Sequence, residues 1–188
     1  MYNILFFGDS LTAGYGLKNA KTESLPGLIQ QKINAENLPY HAINGGLSGD
    51  TSGGGLFRLE YWIDRPVHVF VLELGINDII RGVSPQTTYK NLQAIIDKVK
   101  LKYPDVKLAL MGMEIPIFIP SPFAVEFRAM FRKLADANQM AFVPFYLAGV
   151  AGKAHLNLPD MLHPSAEGYR IMADNVWPVL RRLVVKKL

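Results

Sequence analysis

The residues best suited to chemistry are a serine near the amino end of the chain and an Asp–His pair near its carboxyl end. Ser10 follows a short apolar run, within the segment Gly8-Asp9-Ser10-Leu11. Asp160 precedes His163 by three residues, and Pro164 disfavours helical backbone at the histidine. A serine, a base that takes its proton and a carboxylate that orients the base form a nucleophilic site for acyl transfer. We therefore predict a catalytic triad of Ser10, Asp160 and His163.

An oxyanion hole would also need hydrogen-bond donors close to that serine. The candidates are the backbone N–H of Ser10, the backbone N–H of Gly49 and the side-chain amide of Asn77. Structural interpretations stay open for all of these residues. Ser10 could only cap a helix, Asp160 could only form an Asx turn, and Gly49 and Asn77 could only serve a turn or a cap.

Other kinds of chemistry find little support in the sequence. The chain has no cysteine, which excludes disulfides, thiolate metal sites and cysteine nucleophiles. We expect no metal, because there is no metal-binding His or carboxylate spacing, and the phosphate-binding Gly-x-x-x-x-Gly-Lys motif is absent. The run Gly53–Gly55 lacks dinucleotide-binding spacing and is expected to begin a helix in close contact with its neighbours.

Composition limits the partners of the protein. The 188 residues carry a net charge of +4, with 49% hydrophobic and 19% charged residues, as in an ordinary globular protein. Lys and Arg are scattered, and the dense groups Arg181–Arg182 and Lys186–Lys187 suit a solvated last helix. The apolar run Ile115–Phe123 is short and interrupted by prolines. We expect no nucleic-acid partner and no stable membrane insertion, and the oligomeric state is left open.

The amino end shows no evident signal peptide, since Met1 lies only a few residues before the apolar run Ile4–Phe7. The absence of cysteine suits both the cytosol and the periplasm. The expected location is therefore periplasmic or secreted if a leader has been removed, and cytoplasmic otherwise.

Alternating strand and helix patterns predict the elements that must position these residues. Segments with one apolar helical face separate five apolar runs, and Ser84-Pro85, Ser121-Pro122 and Ser165 are predicted helix starts. The predicted strands are Ile4–Phe7, Tyr40–Ile43, Val67–Leu74, Val106–Met111 and Ala141–Phe145. We predict one α/β domain over residues 1–188, a three-layer α/β/α fold with a five-stranded parallel sheet in the order 2-1-3-4-5. The candidate residues follow strand ends, so one edge of the sheet should collect them.

Four segments together resemble the ordered blocks of the SGNH, or GDSL, hydrolases. These are Gly8–Leu11, Ser48–Ser52, Gly75–Asp78 and Asp160–Pro164. Within this family the chain is most similar to the bacterial arylesterase and multifunctional thioesterase I/lysophospholipase L1 branch, through Leu11–Gly16, Glu73–Gly75 and His163–Tyr169. The resemblance implies a flavodoxin-like fold, catalysis without a cofactor, and the roles argued above for the triad and the oxyanion donors.

The same resemblance implies where substrate binds. The segment Asp78–Val83 resembles a mobile loop that shapes the acyl groove, and Met113–Pro116 resembles the start of a second wall. The expected substrate-binding residues are Asp9, Asp78, Ile79, Ile80, Ile115, Pro116, Ile117 and Phe118. The chain departs from its relatives after Pro116, where Ile117–Ser121 replaces a common Asn-Tyr-Gly stretch, so we expect a more apolar rim.

The expected activity is hydrolysis of short- to medium-chain aryl or alkyl carboxylic esters through an acyl-serine intermediate. The resemblance extends this to acyl thioesters and lysophospholipids. One alternative is a carbohydrate O-acetyl esterase, although the apolar Ile115–Ile119 favours an acyl chain over a sugar. An alternative of another class is a non-catalytic ligand-binding domain on the same scaffold, which retention of Ser10, Asp160 and His163 disfavours.

Overall fold

Five parallel strands form the central sheet of the computed structural model, which describes residues 1–114 and 122–185. The strands are β1 (Tyr2–Gly8), β2 (Tyr40–Gly46), β3 (Val69–Glu73), β4 (Lys107–Met111) and β5 (Ala141–Val143). Their order is β2-β1-β3-β4-β5, so Leu5 of β1 pairs with Ile43 of β2 on one side and with Phe70 of β3 on the other. The predicted sheet and strand order are confirmed.

The strands overlap the predicted apolar runs, and burial is most complete in the central strands, because helices cover both faces of the sheet there. All five residues of β3 are buried, and so are the last five of β1. The strand ends differ by up to three residues from the prediction. For example, β5 stops at Val143, since Pro144 has no N–H to donate to a strand ladder.

Helices cover the sheet in two layers. They are α1 (Ser10–Ala13), α2 (Ala20–Glu23), α3 (Leu25–Ala35), α4 (Ser52–Trp62), α5 (Ile76–Ile80), α6 (Pro85–Lys102), α7 (Pro122–Ala137) and α8 (Ala166–Val185). One layer packs α3 against α8, and the other packs α6 against both α4 and α7. The predicted three-layer α/β/α fold is therefore confirmed. No helix within residues 1–114 and 122–185 is long and apolar enough to cross a membrane.

Polar caps fix the predicted helix starts. Ser84 accepts a hydrogen bond from the N–H of Thr87 at the start of α6, and Ser165 accepts one from the N–H of Gly168 at the start of α8. The predicted cap Ser121 lies outside the described residues. As expected, the glycine run begins a close-packed helix: a Cβ on Gly55 of α4 would lie 2.5 Å from Leu74.

Candidate active site

The segment that follows β1 places Ser10 at the carboxyl edge of the sheet. The strand ends at Gly8, and Asp9 caps α1 by accepting a hydrogen bond from the N–H of Leu11 at 3.0 Å. Ser10 is the first residue of this single-turn helix and is 7% exposed. Because Asp9 supplies the cap, the Ser10 hydroxyl remains available for another partner.

A tight loop before α8 holds the Asp–His pair. Pro164 forms an isolated antiparallel bridge with Asn157, and the N–H of Leu158 donates to the carbonyl of His163 at 2.7 Å. Asp160 Oδ1 accepts the backbone N–H of His163 at 3.0 Å and that of Leu162 at 2.9 Å. Asp160 thus forms the Asx-type turn that was the alternative to a catalytic role, and its second oxygen still binds the imidazole.

The predicted triad residues meet although 150 positions separate Ser10 from Asp160. His163 Nε2 lies 2.9 Å from Ser10 Oγ, and His163 Nδ1 lies 2.8 Å from Asp160 Oδ2. With a proton on Nδ1, the imidazole donates to Asp160 and accepts the Ser10 hydroxyl proton. Hydrogen bonds from the backbone N–H and the ring of His163, and from the N–H of Leu162, lower the pKa of Asp160 to about 2. The carboxylate is therefore charged at neutral pH.

Two of the three predicted oxyanion donors lack an acceptor among the described residues. No hydrogen-bond acceptor within the described part of the chain pairs with the backbone N–H of Ser10 or of Gly49. The third donor, the amide of Asn77, is engaged: Nδ2 donates to Asp9 Oδ2 at 3.1 Å and to the carbonyl of Asp50 at 2.9 Å. These bonds join the segments that carry Ser10 and Gly49, so an oxyanion would have to share or displace one of them.

The predicted substrate contacts Asp9 and Asp78 need correction. Asp9 is 0% exposed and Asp78 is 1% exposed. Asp9 binds Leu11 and Asn77, as described above, whereas Asp78 accepts hydrogen bonds from the N–H and the hydroxyl of Ser52, at 2.8 and 2.5 Å, and from the hydroxyl of Thr88. Neither carboxylate faces solvent, so both support the site from within the protein.

The remaining predicted substrate contacts are apolar. Ile79 is partly buried against the core, while Ile80 is 61% exposed at the end of α5. Ile115, Pro116, Ile117 and Phe118 lie outside the described residues. Among the predicted substrate contacts that the structure describes, Ile80 is therefore the most exposed to solvent.

A buried acid cluster beneath Ser10 was not predicted. It consists of Asp9, Thr12, Glu73 and Tyr146, all of them buried. Glu73 Oε2 accepts the N–H of Asp9 at 3.1 Å and the hydroxyl of Thr12 at 2.8 Å, and Oε1 accepts the hydroxyl of Tyr146 at 2.8 Å. A carboxylate at the end of an apolar run, as at Glu73, is the sequence signal that could have indicated it.

Burial dominates the electrostatics of this cluster. Loss of hydration raises the pKa of Glu73 to about 7, against favourable hydrogen bonds from Thr12 and Tyr146. Loss of hydration, together with the nearby charge of Glu73, also raises the pKa of Asp9 well above its usual range. The cluster therefore resists ionisation, in contrast to Asp160.

Two arginines also fix the site, and neither was predicted. Arg58 of α4 donates to Asp50 Oδ2 at 2.7 Å and to the carbonyls of Gly45 and Gly8 at 2.8 and 2.9 Å. Arg81, after α5, donates to the carbonyl of Gly49 at 2.7 Å. Single arginines in helical patterns give no sequence signal, because their partners come from other elements.

The chain has relatives among known proteins. Residues 6–171 match the model of the GDSL-like Lipase/Acylhydrolase family. The chain belongs to this family. It is 32% identical over 183 residues to Esterase TesA of Pseudomonas aeruginosa, covering 96% of this chain and 89% of the relative. It is 34% identical over 174 residues to an arylesterase of Vibrio mimicus, covering 92% and 85%.

Solved structures of related proteins have the same fold as this chain. A crystal structure of TesA superposes with a TM-score of 0.89 at 31% identity, covering 96% of this chain and 99% of that chain. Family membership and these relatives confirm the predicted family and make the chain a carboxylic ester hydrolase. Among the described residues, no group of three His, Asp or Glu could hold a metal ion.

Proposed function

We propose that the chain hydrolyses short- to medium-chain aryl and alkyl carboxylic esters with Ser10 as the nucleophile. The observation that carries the proposal is the continuous chain from Ser10 Oγ to His163 and from His163 to Asp160, with contacts of 2.9 and 2.8 Å. These distances suit proton transfer without rearrangement. Acyl thioesters and lysophospholipids belong to the same reaction class and extend the proposed substrate range.

The geometry supports a two-step reaction. Ser10 Oγ attacks the ester carbonyl carbon while its proton passes to His163 Nε2, and Asp160 stabilises the resulting imidazolium. The oxyanion faces the N–H groups of Ser10 and Gly49, and its collapse expels the alcohol, which takes the proton from Nε2. Water then repeats the sequence on the acyl-serine and releases the carboxylic acid. Each oxyanion donor contributes about 100- to 1,000-fold in rate.

Removal of the nucleophile tests this proposal. The wild type is compared with Ser10→Ala on p-nitrophenyl esters with acyl chains of two to twelve carbons. We expect kcat to fall by about three to six orders of magnitude, because the residual rate comes only from binding and the oxyanion donors. Ser84→Ala is the matched control, since this serine caps α6 and lies outside the triad. Full activity in Ser10→Ala would overturn the assignment.

The substrate class is tested in the same assay. Acyl-coenzyme A thioesters and acetylated sugars are measured beside the aryl esters, and we expect a maximum on acyl esters. Turnover of acetylated sugars alone would establish the carbohydrate O-acetyl esterase instead. Labelling of Ser10 by an organophosphonate separates both enzymes from a non-catalytic binding domain, in which this serine would stay unmodified.

A further inference from the structure

The ring of Tyr15 lies against the imidazole of His163. The two ring centroids are 4.5 Å apart and the planes are inclined at 45°. Tyr15 is 51% exposed, and within the described residues its hydroxyl has no hydrogen-bond partner. The contact is therefore made by the aromatic ring, not by the polar group.

The backbone that carries Tyr15 is anchored on the proposed nucleophile. The single-turn helix α1 is capped at its carboxyl end by Gly14, which has a left-handed φ of 84° that a larger side chain rarely adopts. The N–H groups of Gly14 and Tyr15 both donate to the carbonyl of Ser10, at 3.0 and 3.1 Å. Tyr15 is thus held in a fixed position relative to Ser10.

The other end of the same turn packs on the loop that carries the base. Gly16 has a φ of 78°, and a Cβ there would lie 2.3 Å from a methyl carbon of Leu158. Leu158 in turn donates its N–H to the carbonyl of His163. The turn from Gly14 to Gly16 therefore joins the serine segment to the histidine loop, with the ring of Tyr15 between them.

We propose that Tyr15 is a positioning residue for His163, which holds the imidazole between Ser10 and Asp160 and stabilises its charged form. The inference rests on the proposed function, in which His163 becomes an imidazolium. A cation close to the face of an aromatic ring is stabilised, and at an exposed site this corresponds to about a two- to fivefold change in rate. The attraction between the ring and the imidazolium exists only when the charge develops, so it lowers the barrier more than it aids substrate binding.

Replacement of the ring tests the proposal. Acylation and deacylation are followed by stopped-flow with p-nitrophenyl acetate for the wild type, Tyr15→Leu and Tyr15→Phe. We expect Tyr15→Leu to slow both steps by about two- to fivefold, because His163 acts in both, with the burst amplitude kept and KM changed by less than about twofold. Tyr15→Phe retains the ring and should match the wild type. Tyr61→Leu is the control, a 69% exposed tyrosine on α4.

Each other outcome identifies what failed. Slowing of acylation alone would mean that the ring contacts the leaving group, and equal loss in Tyr15→Phe would assign the effect to the hydroxyl. Either result, or wild-type rates in Tyr15→Leu, overturns the inference while the proposed function stands. If the wild type forms no acyl-enzyme, or if Ser10→Ala keeps its activity, the proposed function itself fails.

Discussion

On either side of Ser10 lies a region with a carboxyl group, and the electrostatic environments of the two carboxyl groups are opposite. On the open side, Asp160 reaches His163 on a loop, and the side chain of Asp160 is 38% exposed. On the closed side, the buried acid cluster holds Glu73 at 2% exposure. The pKa of Asp160 is lowered to about 2, whereas that of Glu73 is raised to about 7.

The two regions therefore have different roles. Hydrogen bonds donated to Asp160 outweigh its small loss of hydration, so its charge is available to stabilise an imidazolium. Hydrogen bonds to Glu73 do not outweigh burial, so its contribution is to fix the segment around Asp9 and Thr12. We therefore expect changes on the open side to affect rate, and changes on the closed side to affect stability.

The largest expected effect is the loss of activity when the Asp160 charge on the open side is removed. Asp160→Asn keeps an oxygen for the backbone N–H groups of Leu162 and His163 but loses the charge that faces the imidazole. We expect kcat for an aryl ester to fall by about four orders of magnitude. The free energy of unfolding should change less than in variants of the buried Glu73, since water screens the partly exposed Asp160 carboxylate. Asp174→Asn, which changes a 68% exposed surface carboxylate, is the control and should retain wild-type kcat. A rate above about a tenth of wild type in Asp160→Asn would contradict the division.

The corresponding change on the closed side should act on folding. Glu73→Ala leaves the hydroxyls of Thr12 and Tyr146 and the N–H of Asp9 without their acceptor. We expect the free energy of unfolding, measured with urea at pH 4.5, where Glu73 holds its proton in the folded protein, to fall by about 3–5 kcal/mol.

Two further variants serve as controls for Glu73→Ala. Glu73→Gln retains an acceptor oxygen and the volume of the side chain, and should lose only about 1 kcal/mol. Glu60→Ala removes an exposed partner of Lys98 and should change stability by less than about 0.5 kcal/mol. If Glu73→Ala were as stable as Glu60→Ala, the buried acid cluster would have no role in holding the fold.

The sequence predicted the open side better than the closed side. Ser10, Asp160 and His163 belong to short motifs whose residue types have a specific chemistry, and the five apolar runs placed their segments at one edge of the sheet. The strand order came from the usual order of five-stranded doubly wound sheets and from family resemblance, because no local pattern specifies which strands become neighbours.

The closed side could not be derived from local pattern for a physical reason. Glu73 and Tyr146 are 73 residues apart, and only the packing around the sheet brings their side chains within 2.8 Å. The direction of a side chain just after a strand end is equally hidden, which is why Asp9 and Asp78 were wrongly expected to face substrate. Both carboxylates instead turn inward to backbone N–H groups and hydroxyls.

The pH dependence of the free energy of unfolding should report the raised pKa of Glu73 on the closed side. A carboxyl with a raised pKa in the folded protein stabilises the fold fully below its unfolded pKa, and this stabilisation is lost as pH rises through the folded value. For Glu73 this pH window extends from pH 4.5 to about pH 7, and across it the free energy of unfolding falls by an amount on the order of 3 kcal/mol. Asp160 has the opposite sign, since its lowered pKa stabilises the fold above 3.8 and this is lost as pH falls through about 2.

Urea unfolding of the wild type and Glu73→Gln at several pH values tests this window. The advantage of the wild type, about 1 kcal/mol near pH 4.5, should decline and then reverse towards pH 7, because the variant lacks the titrating carboxyl. Asp9, whose pKa is also raised, retains part of the slope in both proteins. A difference that stayed constant with pH would show that Glu73 does not hold its proton in the folded state.

The smallest expected effect concerns Arg81, which binds the segment that carries the proposed oxyanion donor Gly49. Arg81 donates to the carbonyl of Gly49, the residue whose N–H is a proposed oxyanion donor. In Arg81→Met we expect kcat to fall by about three- to tenfold with little change in KM, because one exposed hydrogen bond contributes about 1 kcal/mol. Arg182→Met is the matched control, since Arg182 is also exposed and also donates to a single backbone carbonyl. Equal activity in the two variants would mean that Gly49 keeps its orientation without Arg81.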